Sequence, residues 1–419
     1  MKICFCFFFT LVFLLNATAT EYFVDYDTGR KGNNGTREKP FPNFASAYSK
    51  LKPGDTLRIL PSRKPIRDTI RFSELKGTAE NPICIDGMNN SFIGSVPLKA
   101  KDWKEIKPGL FCRKRQISTN MASRYYMIHK GQAVFMGRST KGFRNPAYKK
   151  PEELQPGEWT IVDLNPGSKE PKHLFAFYLR TADGEKDPQA GKWEEPSKIS
   201  GVAISSFCTK DACGHTRCGK ECTHVHCENV QIRNMIARHF WNDGYNIHGK
   251  VRNVLFENIA AIECGDDGIS AHNECEITTK NYLSLRNSTG ICHIQQAVCK
   301  HDNVYIEGTR GVDFYLFPQS SCTLTNAYIA GNSRRGILLD NKTPTEVMMK
   351  DCFILNENPD ASFTCSKQCS ATFENVHASG YKKAPRKAGI VAEADAETLK
   401  KTIGEKRKVF FSLFRLNQK

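Results

Sequence analysis

Two segments of this 419-residue chain place carboxylates and histidines at matched spacing: Asn242-Asp243-Gly244-Tyr245-Asn246-Ile247-His248 and Asp266-Asp267-Gly268-Ile269-Ser270-Ala271-His272. In each, an acidic residue precedes a glycine and a histidine follows that glycine by four positions. Carboxylates crowded into one site cannot all ionise freely, so at least one pKa rises. A protonated carboxyl beside an ionised one is the pair that glycoside hydrolysis needs: one protonates the leaving oxygen, the other activates water or attacks carbon. The same residue types suit a second chemistry. Elimination from a uronic acid needs a base for the proton next to the carboxylate and a cation to hold that carboxylate. His248 or His272 would be the base and Arg310 or Arg335 the cation, with the aspartates holding Ca²⁺, an ion that takes oxygen ligands. Asp243, Asp266, Asp267, His248 and His272 are therefore the candidate catalytic residues.

The elements that must position them come from a repeat. Gly244, Gly268, Gly290, Gly311 and Gly336 each follow a polar pair and precede alternating residues, with steps of 24, 22, 21 and 25. Such a phrase is a turn feeding a short strand. A second strand series interleaves: Asn229-Val-Gln-Ile, Asn253-Val-Leu-Phe, Glu276-Ile-Thr, Asn303-Val-Tyr-Ile, Thr323-Leu-Thr and Glu346-Val-Met-Met. Two series at one period mean a solenoid, in which stacked coils bury a core that no single coil could. Alternation then assigns faces. Tyr245/Ile247, Ile269/Ala271, Ile291/His293, Val312/Phe314 and Ile337/Leu339 should point inward. Asn246/His248, Ser270/His272, Cys292/Ile294, Asp313/Tyr315 and Leu338/Asp340 should point outward. Asn246, Arg310, Asp313, Tyr315 and Arg335 on or beside that outer column are the candidate substrate-binding residues, and the aspartates and both histidines should share one solvent-facing groove.

The ends and composition set the surroundings. A basic start, an apolar run over 4–15 and Ala17-Thr18-Ala19 read as a secretory signal peptide over 1–19, and no later segment is apolar enough to span a membrane. This predicts a secreted or periplasmic protein. The net charge of +16, from 60 basic and 44 acidic residues, is spread along the chain. In an exported protein it suits a polyanionic polysaccharide better than nucleic acid. Of 17 cysteines, Cys208, Cys213, Cys218, Cys222 and Cys227 crowd together with His215, His224 and His226. Their spacing matches no zinc motif, so a disulfide-stapled loop is expected, with metal binding left open. Cys264, Cys275, Cys292, Cys299, Cys322 and Cys352 fall in the repeats and suit small buried apolar positions.

Five regions follow: the signal peptide 1–19, a cap and first coils 20–95, a β-rich insertion 96–200 with Trp103, Trp159 and Trp193, the repeats 201–380, and a basic tail 381–419. In the tail, 394–408 reads as a charged helix, and Val409-Phe-Phe-Ser-Leu-Phe414 is expected to cover the open end of the solenoid.

The opening phrases carry a resemblance. Gly32-Asn-Asn-Gly-Thr36, Pro40-Phe41-Pro42, a short helix about 44–51, Lys52-Pro-Gly-Asp-Thr56 and Gly77-Thr-Ala-Glu-Asn-Pro-Ile-Cys-Ile-Asp-Gly87 resemble the first coils of secreted right-handed parallel β-helix proteins of the pectate-lyase-like group. The resemblance implies an all-β, right-handed parallel β-helix with an N-terminal cap, and polysaccharide chemistry. The Asn-Asp-Gly and Asp-Asp-Gly coils are similar to the polygalacturonase signature, which implies Asp243, Asp266 and Asp267 as catalytic carboxylates. The chain departs from that signature at Ser288-Thr289-Gly290, where the family has Gly-His-Gly, and at 313–315, where its Arg-x-Lys is missing. The expected function is thus cleavage of an acidic polysaccharide by a monomer: by paired aspartates without a cofactor, or by elimination, with Ca²⁺ if the aspartates hold it. A non-enzymatic polysaccharide-binding or adhesin-like solenoid is the third reading.

Overall fold

The computed structural model of the chain describes residues 19–141, 145–205, 224–317, 319–339, 345–385, 387–391 and 394–416. Residues 1–18 of the expected signal peptide, Cys208, Cys213, His215, Cys218 and Cys222 of the cysteine-rich cluster, and Asp340 lie outside these residues. The fold is an all-β parallel solenoid. One sheet stacks long strands, among them Cys227–Arg238, Val251–Ile262, Cys275–Leu285, Val298–Glu307, Ser321–Gly331, Thr345–Asn356 and Cys369–Ser379. The other stacks short strands: Ile70–Phe72, Val202–Ile204, Tyr245–His248, Asp267–His272, Thr289–His293, Val312–Leu316, Arg335–Leu339 and Phe363–Cys365.

Left-handed residues turn each coil at its corners. Within the long strands, Asn234, Asn258, Asn281, Asn303 and Asn326 all have φ between 51° and 57°. Asparagine tolerates this region better than other side-chain-bearing residues because its amide bonds locally. Here the amides also bond along the stack: Asn258 Nδ2 to Asn234 Oδ1 at 2.9 Å and Asn281 Nδ2 to Asn258 Oδ1 at 2.7 Å. A second corner follows the long strands at His239, Glu263 and Arg286, with φ of 57°, 55° and 51°. Glu263 ties this column together, 2.9 Å from His239 Nε2 and 2.7 Å from Arg286 Nε. A third follows the short strands at Gly249, Asn273 and Gln295.

These corners correct the register read from sequence. Asn303 belongs to the mid-strand column, bonding to Asn281; the strand residue paired with Ile277 is Cys299. In the short sheet, Phe314 pairs with Ile291 and Ile337, so Asp313, not Gly311, stands level with Gly290 and Gly336. The glycines in that row are needed for room, not for a positive φ: a Cβ on Gly268 would lie 2.1 Å from the Tyr282 hydroxyl and 2.7 Å from the Gly290 carbonyl. The row points toward the interior, and Asp313 consequently does too.

The core runs through the stack. Tyr245, Ile269, Ile291, Phe314 and Ile337 form one fully buried column with Ile247, Ala271 and Leu339 beside it. Cys227, Cys264, Cys275, Cys299, Cys322 and Cys352 pack within the same core as unbridged thiols, Cys227 included, so the staple expected through Cys227 is not formed there.

Residues 95–196 build two four-stranded antiparallel sheets around their own apolar cluster, centred on Trp159, Trp193, Tyr126 and Phe177. The tail helix, Ala396–Leu413, includes the apolar run 409–413. It does not cover the end of the solenoid. Ile403, Phe410, Phe411 and Phe414 lie along the flank of the long-strand sheet, against Ile236, Ile262, Leu283, Leu285 and Tyr305 from successive coils. That flank is apolar on its outer side, and a lengthwise helix buries more of it than an end cap would.

Candidate active site

Strand pairing puts the two candidate coils side by side: Tyr245 pairs with Ile269, Asn246 with Ser270, and His248 with His272. Neighbouring strands are about 4.8 Å apart, so equivalent side chains meet. Asp243, Asp266 and Asp267 each offer an oxygen within 4.8 Å of the others. Asp243 Oδ1 accepts from the Asp267 N–H at 2.9 Å; its Oδ2 accepts from Ser270 Oγ at 2.9 Å, Asn242 Nδ2 at 3.0 Å and Asn246 Nδ2.

The cluster is not open to solvent. All three aspartates are at most 5% exposed, because residues of the insertion sit on them. Lys141 Nζ bonds Asp266 Oδ1 at 2.9 Å and also Asp267, and Arg124 Nε bonds Asp266 Oδ2 at 2.9 Å. Thr140 adds a hydroxyl to Asp266, and the Ser139, Thr140 and Ser288 hydroxyls interlock, Ser139 and Thr140 each 2.7 Å from Ser288. This corrects the expected solvent-facing groove: the outward side of the coil is here an interface with the insertion. Nothing near 243 or 266 in the sequence pointed to Arg124 or Lys141, which lie over 100 residues away.

Burial and charge divide the three carboxyls. Burial, then the charge of Asp266, raises the Asp243 pKa. Burial also raises Asp267, against the pull of Lys141 and with the push of Asp266 and Asp243. Asp266 goes the other way: burial is outweighed by Lys141, Arg124 and the Thr140 hydroxyl, and its carboxyl stays below the usual range. One ionised carboxylate thus sits beside two that hold protons more tightly, the division that acid–base pairs use.

The histidines stand at the rim. His248 and His272 point outward, half-buried, with rings stacked at 4.1 Å and 8°. Burial lowers His248 to about 4, and burial with the neighbouring His248 and Lys141 charges lowers His272 to about 3, so both are neutral at neutral pH. His272 Nε2 lies 3.2 Å from Ser270 Oγ, which donates to Asp243. A hydrogen-bonded line therefore runs from the half-exposed imidazole to the buried carboxyl.

The candidate substrate-binding residues separate. Asn246 belongs to the site as a partner of Asp243 and, at 3.3 Å, of Ser270. Tyr315 remains on the outer face, stacked on Phe317 at 3.9 Å. Arg335 lines a recess of about 450 Å³ with Arg334, Asp360, Lys382 and Lys383. Arg310 is a clamp: its guanidinium donates to the carbonyls of Arg138 and Cys264, each at 3.1 Å, and lies 3.3 Å over the Phe135 ring. A cation spent on carbonyls that fasten the insertion is a tie between parts of the fold, which corrects its expected role toward substrate. Asp313 is wholly buried, bonded to the Thr309 hydroxyl and 3.4 Å from Asn356 Nδ2, and burial pushes its pKa well up. It too is removed from the outer face.

His293 lies in the core, as alternation required, and burial keeps it and His301 neutral. The Ala271 N–H donates to His293 Nδ1 at 3.2 Å, which leaves the His293 proton on Nε2. That proton goes to His301 Nε2 at 2.7 Å, and His301 Nδ1 in turn reaches Thr279 Oγ1 at 2.7 Å. Cys299 lies alongside, but this donor order occupies the nitrogen a metal would need.

No protein-family model matches the sequence, and no curated protein matches it significantly. Among solved structures, the chain is similar to XylC in complex with xylose, at 11% identity and a TM-score of 0.47, over 87% of this chain and 70% of that one. It is also similar to a GH136 lacto-N-biosidase from Eubacterium ramulus, at 10% identity and a TM-score of 0.35, over 89% and 67%. At this distance the likenesses carry no argument about the reaction, which has to come from the site.

Proposed function

We propose that the chain is an exported carbohydrate-active enzyme that cleaves an acidic polysaccharide by hydrolysis at the Asp243–Asp266–Asp267 cluster. The observation that carries this reading is the gathering of three carboxyls with an oxygen of each within 4.8 Å of the others, Lys141 and Arg124 bonded to Asp266, an arrangement that lowers the Asp266 pKa while burial raises the other two. Asp243, directly beneath the half-buried Asn246 and linked through Ser270 to His272, is the general acid. Asp266 supplies the negative charge that stabilises the developing positive sugar carbon. The carboxyl oxygens lie too close for a water to act between them, which favours attack on the sugar by a carboxylate over the inverting arrangement.

An acidic substrate is supported by the recess at Arg334, Arg335, Lys382 and Lys383. Arg335 pairs in register through Val312 and Thr289 to Asp267. Three strand steps separate them by about 14 Å along the solenoid axis.

One observation favours elimination as a second reading. The Lys141 ammonium bonds both Asp266 and Asp267, so the cluster already holds a cation, and the neutral His248–His272 pair at the rim offers unprotonated imidazole nitrogen. On that reading the histidines are the bases and Ca²⁺ would have to displace Lys141.

The test is Asp243→Asn against His272→Ala on a panel of acidic polysaccharides, reading new reducing ends and unsaturated-uronate absorbance together. Hydrolysis predicts reducing ends without that absorbance, and loss of at least about 100-fold in rate for Asp243→Asn, the lower end of what removing a general acid costs, with polysaccharide binding retained. Unsaturated product abolished by His272→Ala establishes elimination instead. Binding without either product leaves the adhesin.

A further inference from the structure

Far from the aspartates, three side chains converge where the first coils meet the strand after the cysteine-rich segment. Leu75 pairs with Cys227 and Lys76 with Glu228 in parallel register, which sets Glu74 beside His226 on the neighbouring strand. His224 and His226 are two residues apart in extended chain, so both project to the same side. Glu74 Oε1 lies 2.9 Å from His224 Nε2 and 3.4 Å from His226 Nδ1, and the three ligand atoms all fall within 4.8 Å of one another. The imidazoles meet edge to face at 5.1 Å.

We propose that Glu74, His224 and His226 form a binding site for a divalent transition-metal ion, with zinc the fitting choice. Two imidazole nitrogens and one carboxylate oxygen are a zinc ligand set, and bonds of about 2.0–2.1 Å put tetrahedral ligands roughly 3.3 Å apart, close to the separations here. His226 is fully buried, while the Glu74 and His224 side chains are 34% and 23% exposed. The closed side holds the ligands and the open side admits the ion with a water in the fourth position. At His224 the Nε2 proton now shared with Glu74 would pass to Nδ1, which its exposure to water permits. The buried His293–Cys299–His301 group fails the same test, because its nitrogen is already protonated by the order of its donors. A bound ion would join residues 150 positions apart, pinning the first coils to the repeats on either side of the insertion.

The experiment uses the full chain stripped with chelator, then titrated with Zn(II) against a chromophoric competitor, and separately with Co(II) for its spectrum. The expected result is one equivalent bound and a Co(II) spectrum without thiolate charge-transfer bands. His224→Ala and Glu74→Gln, both at partly exposed positions, should each weaken Zn(II) binding by more than about 100-fold, beyond the range for losing an outer-shell partner. Zinc should also raise the melting temperature of the unaltered chain but of neither variant. Absence of saturable binding overturns the proposal, as does unchanged affinity in both variants. Thiolate bands, or sulfur in the zinc shell of the unaltered chain by X-ray absorption, would place the ion on the cysteine segment and also overturn it; that measurement needs no variant to fold.

Discussion

Lys141 decides the state of the aspartates, and its removal makes a prediction with a definite sign. In Lys141→Met no ammonium opposes burial and mutual repulsion at Asp243 and Asp267, so their folded-state pKa values stand still further above the unfolded value of about 3.9, while Arg124 stays bonded to Asp266. Groups raised on folding favour the folded state at acid pH, and that contribution is lost as pH rises through their folded values. Lys141→Met should therefore cost little near pH 5 and about 3 kcal/mol near pH 8, the lower part of the range for stranding a buried charge. Melting temperatures of both proteins across that range check it; a cost independent of pH would mean the ammonium contributes only packing. The same residue marks the limit of reading the site from sequence. The Asn-Asp-Gly and Asp-Asp-Gly phrases, each with a histidine four residues after its glycine, located Asp243, Asp266, Asp267, His248 and His272 because the two coils repeat them locally. Lys141 and Arg124 carry no such mark, since only the docking of a separately built β-unit brings them in. Asp313 misled for a related reason: alternation counted from Gly311 is out of step by two, and only the pairing of Phe314 with Ile291 reveals it.

At the level of the element, the coils depend on columns of left-handed residues at their corners. Asn281 has φ 57°, donates to Asn258 and accepts from Asn303. Asn281→Ala keeps a β-carbon in that region without the amide that makes it tolerable and removes both ladder bonds, for an expected cost of about 2–3 kcal/mol. Asn281→Gly loses the same bonds but not the backbone preference, and should cost about 1 kcal/mol less. Denaturation midpoints of the pair separate the two terms; equal losses would show that the ladder alone matters. The solenoid itself was legible, because apolar alternation and recurring glycine survive in one sequence. The corners were less so. Asn229, Asn253 and Asn303 look alike in sequence, yet the first two stand near the start of their long strands and the third at the bend, and hydrogen-bond partners tell them apart.

Across the whole molecule, the tail helix is held to the flank by Phe410, Phe411 and Phe414 and by an ion pair of Arg407 Nε with Glu307 at 2.7 Å. Ending the chain after residue 391 would leave Ile236, Ile262, Leu283, Leu285 and Tyr305 bare on one side of the stack. The shortened protein should still form parallel sheet, by circular dichroism, but self-associate in size-exclusion chromatography and bind a hydrophobic dye; a monodisperse product would show that the flank needs no cover. The lengthwise lie of the helix has a mechanical side as well. A stack in which every coil touches only its neighbours can fray from its ends one coil at a time. A rod that grips successive coils at once acts as a splint, because no gripped coil can leave without loosening the helix from the others. Unfolding of the gripped coils becomes a shared event, and the stack behaves there less as a chain of independent links than as a single beam.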